Sequence, residues 1–281
     1  MPTDRPRSPC ATAAAEHGIV APSPRPSRHA NPVSWRPFRT GIAFGIGLIT
    51  VVGAAFAQSL DTAAFDTLLK AHVKDGNVDY PAFQASAAFR SYVEALAKPA
   101  ALSGKSEALA YYINAYNALA IAGILEGLSP ASLLGRARYF KIRDWPLNGR
   151  TISLYDLEHE KIEPLGEPRI HFAIVCASRS CPPLRSEAYA AARLDAQLDE
   201  QARSFINNPI RNRFDKATRT AHLSEIFDWY DMDFRVATGS TQRFIARYVA
   251  DADVARDLAA DGYKVEWIPY DWRLNGIPLR Q

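Results

Sequence analysis

The sequence is poor in cysteine. Only Cys10, Cys176 and Cys181 occur among 281 residues, which argues against a small disulfide-stapled scaffold and makes a hydrophobic core the source of stability. Long runs of like charge and internal repeats are absent, so coiled-coil, solenoid and wholly disordered architectures are disfavoured. Beyond residue 60 there is no G-x-S-x-G, no H-E-x-x-H, no phosphate loop and no G-x-G-x-x-G. The common fingerprints of serine hydrolases, zinc peptidases and nucleotide binders are therefore missing. What is present is 48% hydrophobic and 11% aromatic residues, an ordinary composition for a globular domain with a sizeable core.

The formal charge of +3 belongs to the N-terminal region. From Gly41 to Ala57 the chain reads GIAFGIGLITVVGAAFA, preceded by Arg36 and Arg39 and ending in Ala55-Phe56-Ala57. A basic flank, an apolar stretch and an A-x-A end fit a secretory signal. The competing reading is an uncleaved anchor, but 17 residues with four glycines fall short of the roughly 20 apolar residues of a membrane span. The first 32 residues are rich in Pro, Ser and Arg, and a start at Val33 would leave a signal of ordinary length. Residues 1–57 are thus expected to be a basic leader plus signal peptide, and 58–281 one exported domain in the periplasm or outside the cell. Removing the leader takes six arginines and two acidic residues away, leaving 27 basic against 28 acidic. That near-neutral balance argues against a nucleic-acid partner, and no membrane contact is expected after cleavage. Two cysteines remain.

Helical spacing is expected from Leu60 to Val73, over Ala82–Ala97, over a long segment capped by Ser106 with Leu109, Ile113, Tyr116 and Ala120 on one face, over Leu194–Phe205 and over Gln242–Ala260. Asn148-Gly149 between YFKIRDW and RTISL predicts a hairpin. Ser153 with Asp156 three residues on predicts the start of a short helix carrying Glu158 and His159. Arg169–Cys176, rich in β-branched and aromatic residues, predicts a strand with both faces covered. Further strands are expected at Thr220–Leu223 and Tyr263–Trp267, with a short helix at Glu225–Tyr230. The fold class is α+β: a single domain with a small, largely antiparallel sheet packed by several helices.

The segment from His171 to Pro183 carries the most unusual chemistry. A cysteine at the end of a buried strand and the start of a polar loop is a candidate nucleophile if an imidazole or cation supports its thiolate. Period-two alternation puts His171 and Cys176 on opposite faces, so the base is either His171 after a bulge, or His159 with Glu158 beside it. Cys176 and Cys181 as a disulfide closing the loop is the other outcome. A metal site from His159, His171, Cys176 and Cys181 has suitable ligand types but unfavourable spacing, and neither metal nor cofactor is assigned. Asn114 and Asn117, three apart on the long helix, are either buried amides bonding loop backbone or oxyanion donors. Asp228, Asp231 and Asp233 among aromatics read as a solvated turn, with a sugar- or peptide-binding surface as the alternative.

YYINAYNALAI at 111–121, ISLYDLEHEKI at 152–162, PRIHFAIVCASRSCPPLRSEAY at 168–189, EIFDWYDMDF at 225–234 and YDWRLN at 270–275 resemble the blocks of DUF547, a family of unknown function, in the family's order. The resemblance marks Asn114, Asn117, Glu158, His159, Arg169, His171, Cys176, Ser178 and Cys181 as motif positions without assigning roles. It implies a secreted or periplasmic bacterial domain. The order of long helix, hairpin and His-bearing strand is also loosely similar to papain-like and transglutaminase-like domains. Those place their nucleophile at the start of the long helix, where this chain has Ser103 to Glu107 and no cysteine. The expected function is a thiol-dependent hydrolase or acyl transferase on peptide-like or amide substrates: Cys176 as nucleophile, His171 or His159 as base, Glu158 in support, and Asn114, Asn117, Arg169, Ser178 and Cys181 around a small-molecule or peptide ligand. The alternative is a non-catalytic binding module stiffened by a Cys176–Cys181 disulfide.

Overall fold

The computed structural model describes residues 60–279; the expected leader, the signal segment and Cys10 lie outside the described residues. Helix α1 (Ala63–His72) leads through strands β1 (Val73–Lys74) and β2 (Asn77–Val78) to α2 (Tyr80–Ala85) and α3 (Ala87–Ala95). The expected single helix over Ala82–Ala97 is divided because Ser86 leaves helical geometry and caps α3, its Oγ accepting from the Phe89 N–H at 3.1 Å. Helix α4 (Lys105–Leu125) follows. Gly104 rather than Ser106 is its N-cap, and the Glu107 carboxylate reaches back to the Ser103 N–H at 2.9 Å, satisfying a donor that the first turn leaves open. By length and composition α4 could cross a membrane, but 83% of its apolar window is buried in the protein. It is the central helix of the core, apolar on nearly every side because it is surrounded.

Helix α5 (Leu133–Arg136) and a π turn (Ala137–Ile142) precede the hairpin of β3 (Asp144–Leu147) and β4 (Arg150–Ser153). Asn148 and Gly149 have φ of +50° and +71°, the pair of left-handed residues that a two-residue hairpin loop requires. Ser153 caps α6 (Leu154–Asp156) as its spacing predicts, accepting from the Asp156 N–H at 3.1 Å. A second π turn (Leu157–Ile162) continues this helix.

The expected strand over Arg169–Cys176 is not formed. Pro168–Phe172 is a 3₁₀ turn, and the chain then runs irregularly to the cysteine loop. The backbone groups that a ladder would have satisfied are taken by side chains from helices. The Asn117 amide donates to the Ala173 carbonyl and accepts from the Val175 N–H, both at 2.9 Å, and Gln201 Nε2 donates to the Phe172 carbonyl at 3.1 Å. The β-branched and aromatic composition reflects burial instead: Ile170, Ala173 and Val175 pack into the core around α4, while Phe172 packs into a second core with Phe205, Phe227, Phe234 and Phe244. Burial, rather than pairing, is what such residues report here.

The remainder comprises α7 (Leu194–Ile206), β5 (Arg213–Asp215), β6 (Thr220–Ser224), α8 (Ile226–Trp229), α9 (Asp231–Thr238), α10 (Thr241–Ala246), α11 (Ala252–Ala259) and β7 (Lys264–Ile268). The expected helix over Gln242–Ala260 is two helices because Asp251 caps α11, accepting from the Asp253 and Val254 N–H groups. Among the described residues the strands form three small sheets rather than one: β1–β2 and β3–β4 are antiparallel pairs, and β5-β6-β7 is mixed, with β6–β7 parallel. Helices α8 to α11 form the crossover that a parallel pair needs. The class is α+β, as expected.

The C-terminal segment closes over the cysteine loop. Asn275 N–H donates to the Ala177 carbonyl at 3.0 Å, and the Arg179 and Ser180 N–H groups donate to the Arg273 and Asp271 carbonyls. Gly276 (φ +72°) fits against the backbone of Val78 so closely that a Cβ would collide with the Val78 carbonyl oxygen and nitrogen. Gly276→Ala is expected to destabilise the fold by about 2–4 kcal/mol through backbone collision and left-handed strain together, measured as a lowered midpoint in urea unfolding.

Candidate active site

The seam between the two cores holds a narrow cleft with a cavity volume of about 40 Å³, lined by Tyr116, Phe140, Glu158, His171, Ile174, Cys176 and Cys181 and by Trp229, Tyr230, Tyr270 and Trp272. His171 and Cys176 face this same cleft. The strand-based expectation of opposite faces fails because period-two alternation does not apply to a 3₁₀ turn followed by irregular chain.

Cys176 sits immediately before Ala177, a non-glycine residue with φ +59°. Such a conformation costs on the order of 1–3 kcal/mol, and here the bonds to the C-terminal segment hold it. The Cys176 sulfur lies 3.1 Å from both the Ser178 and Tyr270 hydroxyl oxygens, and its backbone N–H donates to Cys181 Sγ at 2.9 Å. Both cysteines are free thiols, and the expected Cys176–Cys181 disulfide is not seen. Burial alone would raise the Cys176 pKa, but hydrogen bonds from Cys181, Ser178 and Tyr270 outweigh it, and the pKa is lowered to about 7. Burial and the neighbouring Cys176 drive the Cys181 thiol well up, and burial beside the two sulfurs keeps Tyr270 a protonated donor. The pKa is thus lowered at Cys176 and raised at Cys181. Alkylation of Cys176 by iodoacetamide should rise with pH through about 7 and then level, whereas an ordinary thiol keeps gaining reactivity to about pH 8.5 and above. Tyr270→Phe, by removing a donor to the thiolate, should move that midpoint upward.

His171 is a fully buried imidazole stacked on Tyr230, with ring centroids 3.7 Å apart and planes 19° apart. Its Nε2 lies 2.8 Å from Asp233 Oδ2, while its buried Nδ1 has no hydrogen-bond partner. In a neutral imidazole, an Nε2–H donating to Asp233 leaves the lone pair on Nδ1. Asp233 belongs to the acidic cluster whose sequence reads as a solvated turn; its role depends on α9 packing beside the 3₁₀ turn, which sequence spacing does not report.

Glu158 is buried, accepting from Tyr230 Oη at 2.6 Å and Tyr116 Oη at 3.4 Å. Burial pushes its carboxyl pKa up, against the His159 charge and the Tyr230 hydrogen bond. His159 does not line the cleft. Its Nδ1 pairs with Glu163 Oε2 at 2.8 Å and its ring meets Tyr155 edge-on; burial would lower its pKa, but Glu163 and Glu158 raise it. Adjacent Glu158 thus does not orient His159, as the helix geometry implies, and His171 is the histidine in the cleft.

The other expected binding residues divide. Ser178 and Cys181 contact the Cys176 sulfur loop. Asn114 bonds both backbone groups of Tyr189, at 2.8 and 2.9 Å, and Asn117 clamps Ala173 and Val175 as described; both amides hold backbone in place and neither lines the cleft. Arg169 pairs with Glu167, Asp195 and Asp199 at 2.6–2.8 Å, tying the 3₁₀ turn to α7 away from the cleft.

A family model described as "Protein of unknown function, DUF547" matches residues 99–206. Residues 99–206 are a DUF547 domain. No curated protein and no solved structure matches the chain. The DUF547 match contains Glu158, His171, Cys176 and Cys181, whereas Asp233, Tyr230 and Tyr270, which complete the cleft, come from beyond it.

Proposed function

We propose that this DUF547 protein is a thiol-dependent hydrolase or acyl transferase acting on peptide-like or amide substrates. The observation that carries this reading is a low-pKa thiol sharing one cleft with an imidazole whose far nitrogen is held by a carboxylate. Cys176 attacks the carbonyl carbon, forming an acyl–sulfur bond, and His171 Nδ1 takes the thiol proton and returns it to the leaving group. Asp233 orients the ring and stabilises the imidazolium. Water or an acceptor amine then releases the acyl group. Phe140, Trp229, Tyr230, Tyr270 and Trp272 give the cleft apolar walls that favour a flat or apolar substrate group and strengthen electrostatics inside. The Gly41–Ala57 run supports an exported protein.

The test is trapping of an acyl-enzyme. The purified protein treated with p-nitrophenyl acetate should carry one acetyl group by intact mass, located at Cys176 by peptide mapping. Acetylation elsewhere, or ester turnover unchanged in Cys176→Ala, would overturn the proposal.

A further inference from the structure

We infer that Glu158, Glu163 and His171 form a binding site for one divalent transition-metal ion, zinc by ligand type. Each offers one ligand atom, and these atoms all lie within 4.8 Å of one another. In an α-helix residues five apart point about 140° away from each other; the π turn over Leu157–Ile162 widens the coil and brings Glu158 and Glu163 to the same side. Single π turns of this kind recur at functional sites.

Two further observations point to an ion. First, His171 is the imidazole of this cluster, and its buried Nδ1 has no hydrogen-bond partner. Asp233 holds Nε2 at 2.8 Å, so in the neutral ring Nδ1 is an acceptor, and Glu158 and Glu163 add carboxylate oxygens to the same cluster. Buried polar atoms normally find partners, and a cation is the partner that three acceptors share. Second, the supports that orient metal ligands are in place. Asp233 stands behind His171, His159 Nδ1 stands behind Glu163 at 2.8 Å, and Tyr230 Oη donates to Glu158 at 2.6 Å. A carboxylate behind a ligating histidine is the usual second layer of a zinc site. Two carboxylates also balance the charge of one divalent ion, which offsets the cost of burying Glu158. A carboxylate–imidazole set suits zinc, whereas magnesium and calcium favour oxygen ligands.

The site requires neither cysteine and so does not rest on the thiol reaction. The two share Nδ1, and an ion bound there removes the base from that reaction.

Chelator-treated full-length protein should take up about one Zn²⁺ per chain in equilibrium dialysis with excess Mg²⁺ present, with a raised Tm. Bound Co²⁺ should show no thiolate charge-transfer band. Glu163→Gln should weaken zinc binding at least tenfold. Asp233→Asn should weaken it by about 10–100-fold. The side chains of Glu163 and Asp233 are 20% and 44% exposed, so both variants keep the core intact, and circular dichroism checks this. The Cys176→Ser/Cys181→Ser double variant should bind zinc as the parent does. Absence of uptake, uptake retained in both Glu163→Gln and Asp233→Asn, or uptake abolished by the cysteine replacements would each overturn the assignment.

Discussion

His171→Ala is expected to slow acylation of Cys176 by activated esters by about 10²–10⁴-fold, the usual contribution of a positioned general base. The measurement is single-turnover acylation followed by mass spectrometry, with a chelator present so that no ion occupies Nδ1. A base acting on the thiol should also change the pH profile: the residual rate in His171→Ala should follow the thiolate fraction alone. Asp233→Asn keeps the imidazole but replaces the carboxylate that accepts from Nε2, so it should share much of the loss. A His171→Ala protein that acylates at the parental rate, with Cys176 still modified, would assign the proton transfer elsewhere.

The largest effect on stability from a single polar side chain is expected at Asn117. Asn117→Ala leaves the Ala173 carbonyl and the Val175 N–H buried and unpaired. At about 1–3 kcal/mol for each orphaned group, the loss should reach about 2–5 kcal/mol by urea unfolding. The same substitution frees the backbone directly before Cys176, so the alkylation profile should lose its low-pH onset even where the fold survives. Replacing Asp195, an exposed partner of Arg169 with 89% of its side chain accessible, should cost under about 1 kcal/mol because solvent screens the pair. The contrast separates residues that build the cleft from those that decorate the surface.

The local elements were legible where a short-range rule decides them. Asn148-Gly149 demands a hairpin loop, Ser153 with Asp156 demands a helix start, and both are found. The amphipathic helix ending before Asn207-Asn208-Pro209 is likewise found as α7. Asn114 and Asn117 were placed together on one helix, with backbone clamping as one of two expected roles, and their hydrogen bonds take that form. Of the positions that the family blocks marked, Glu158, His171, Cys176 and Cys181 line the cleft and Ser178 contacts the Cys176 sulfur.

The rest needed the third dimension. Arg169–Cys176 has strand composition, but the side chains of Asn117 and Gln201 satisfy its backbone, so the apolar residues mark a seam between two cores. Glu163 was invisible to a 3.6-residue period because a π turn carries it to Glu158. Asp233, Tyr230 and Tyr270 lie 54 or more positions from Cys176 and 59 or more from His171 along the chain, too far for any spacing rule to pair them. By itself, then, the sequence determined the elements with local codes and the DUF547 domain, because caps, turns and motifs are encoded over a few residues. Which histidine shares the cleft with Cys176 and which carboxylate holds it were decided only by tertiary packing, because those relations arise where distant helices bury one irregular segment between them.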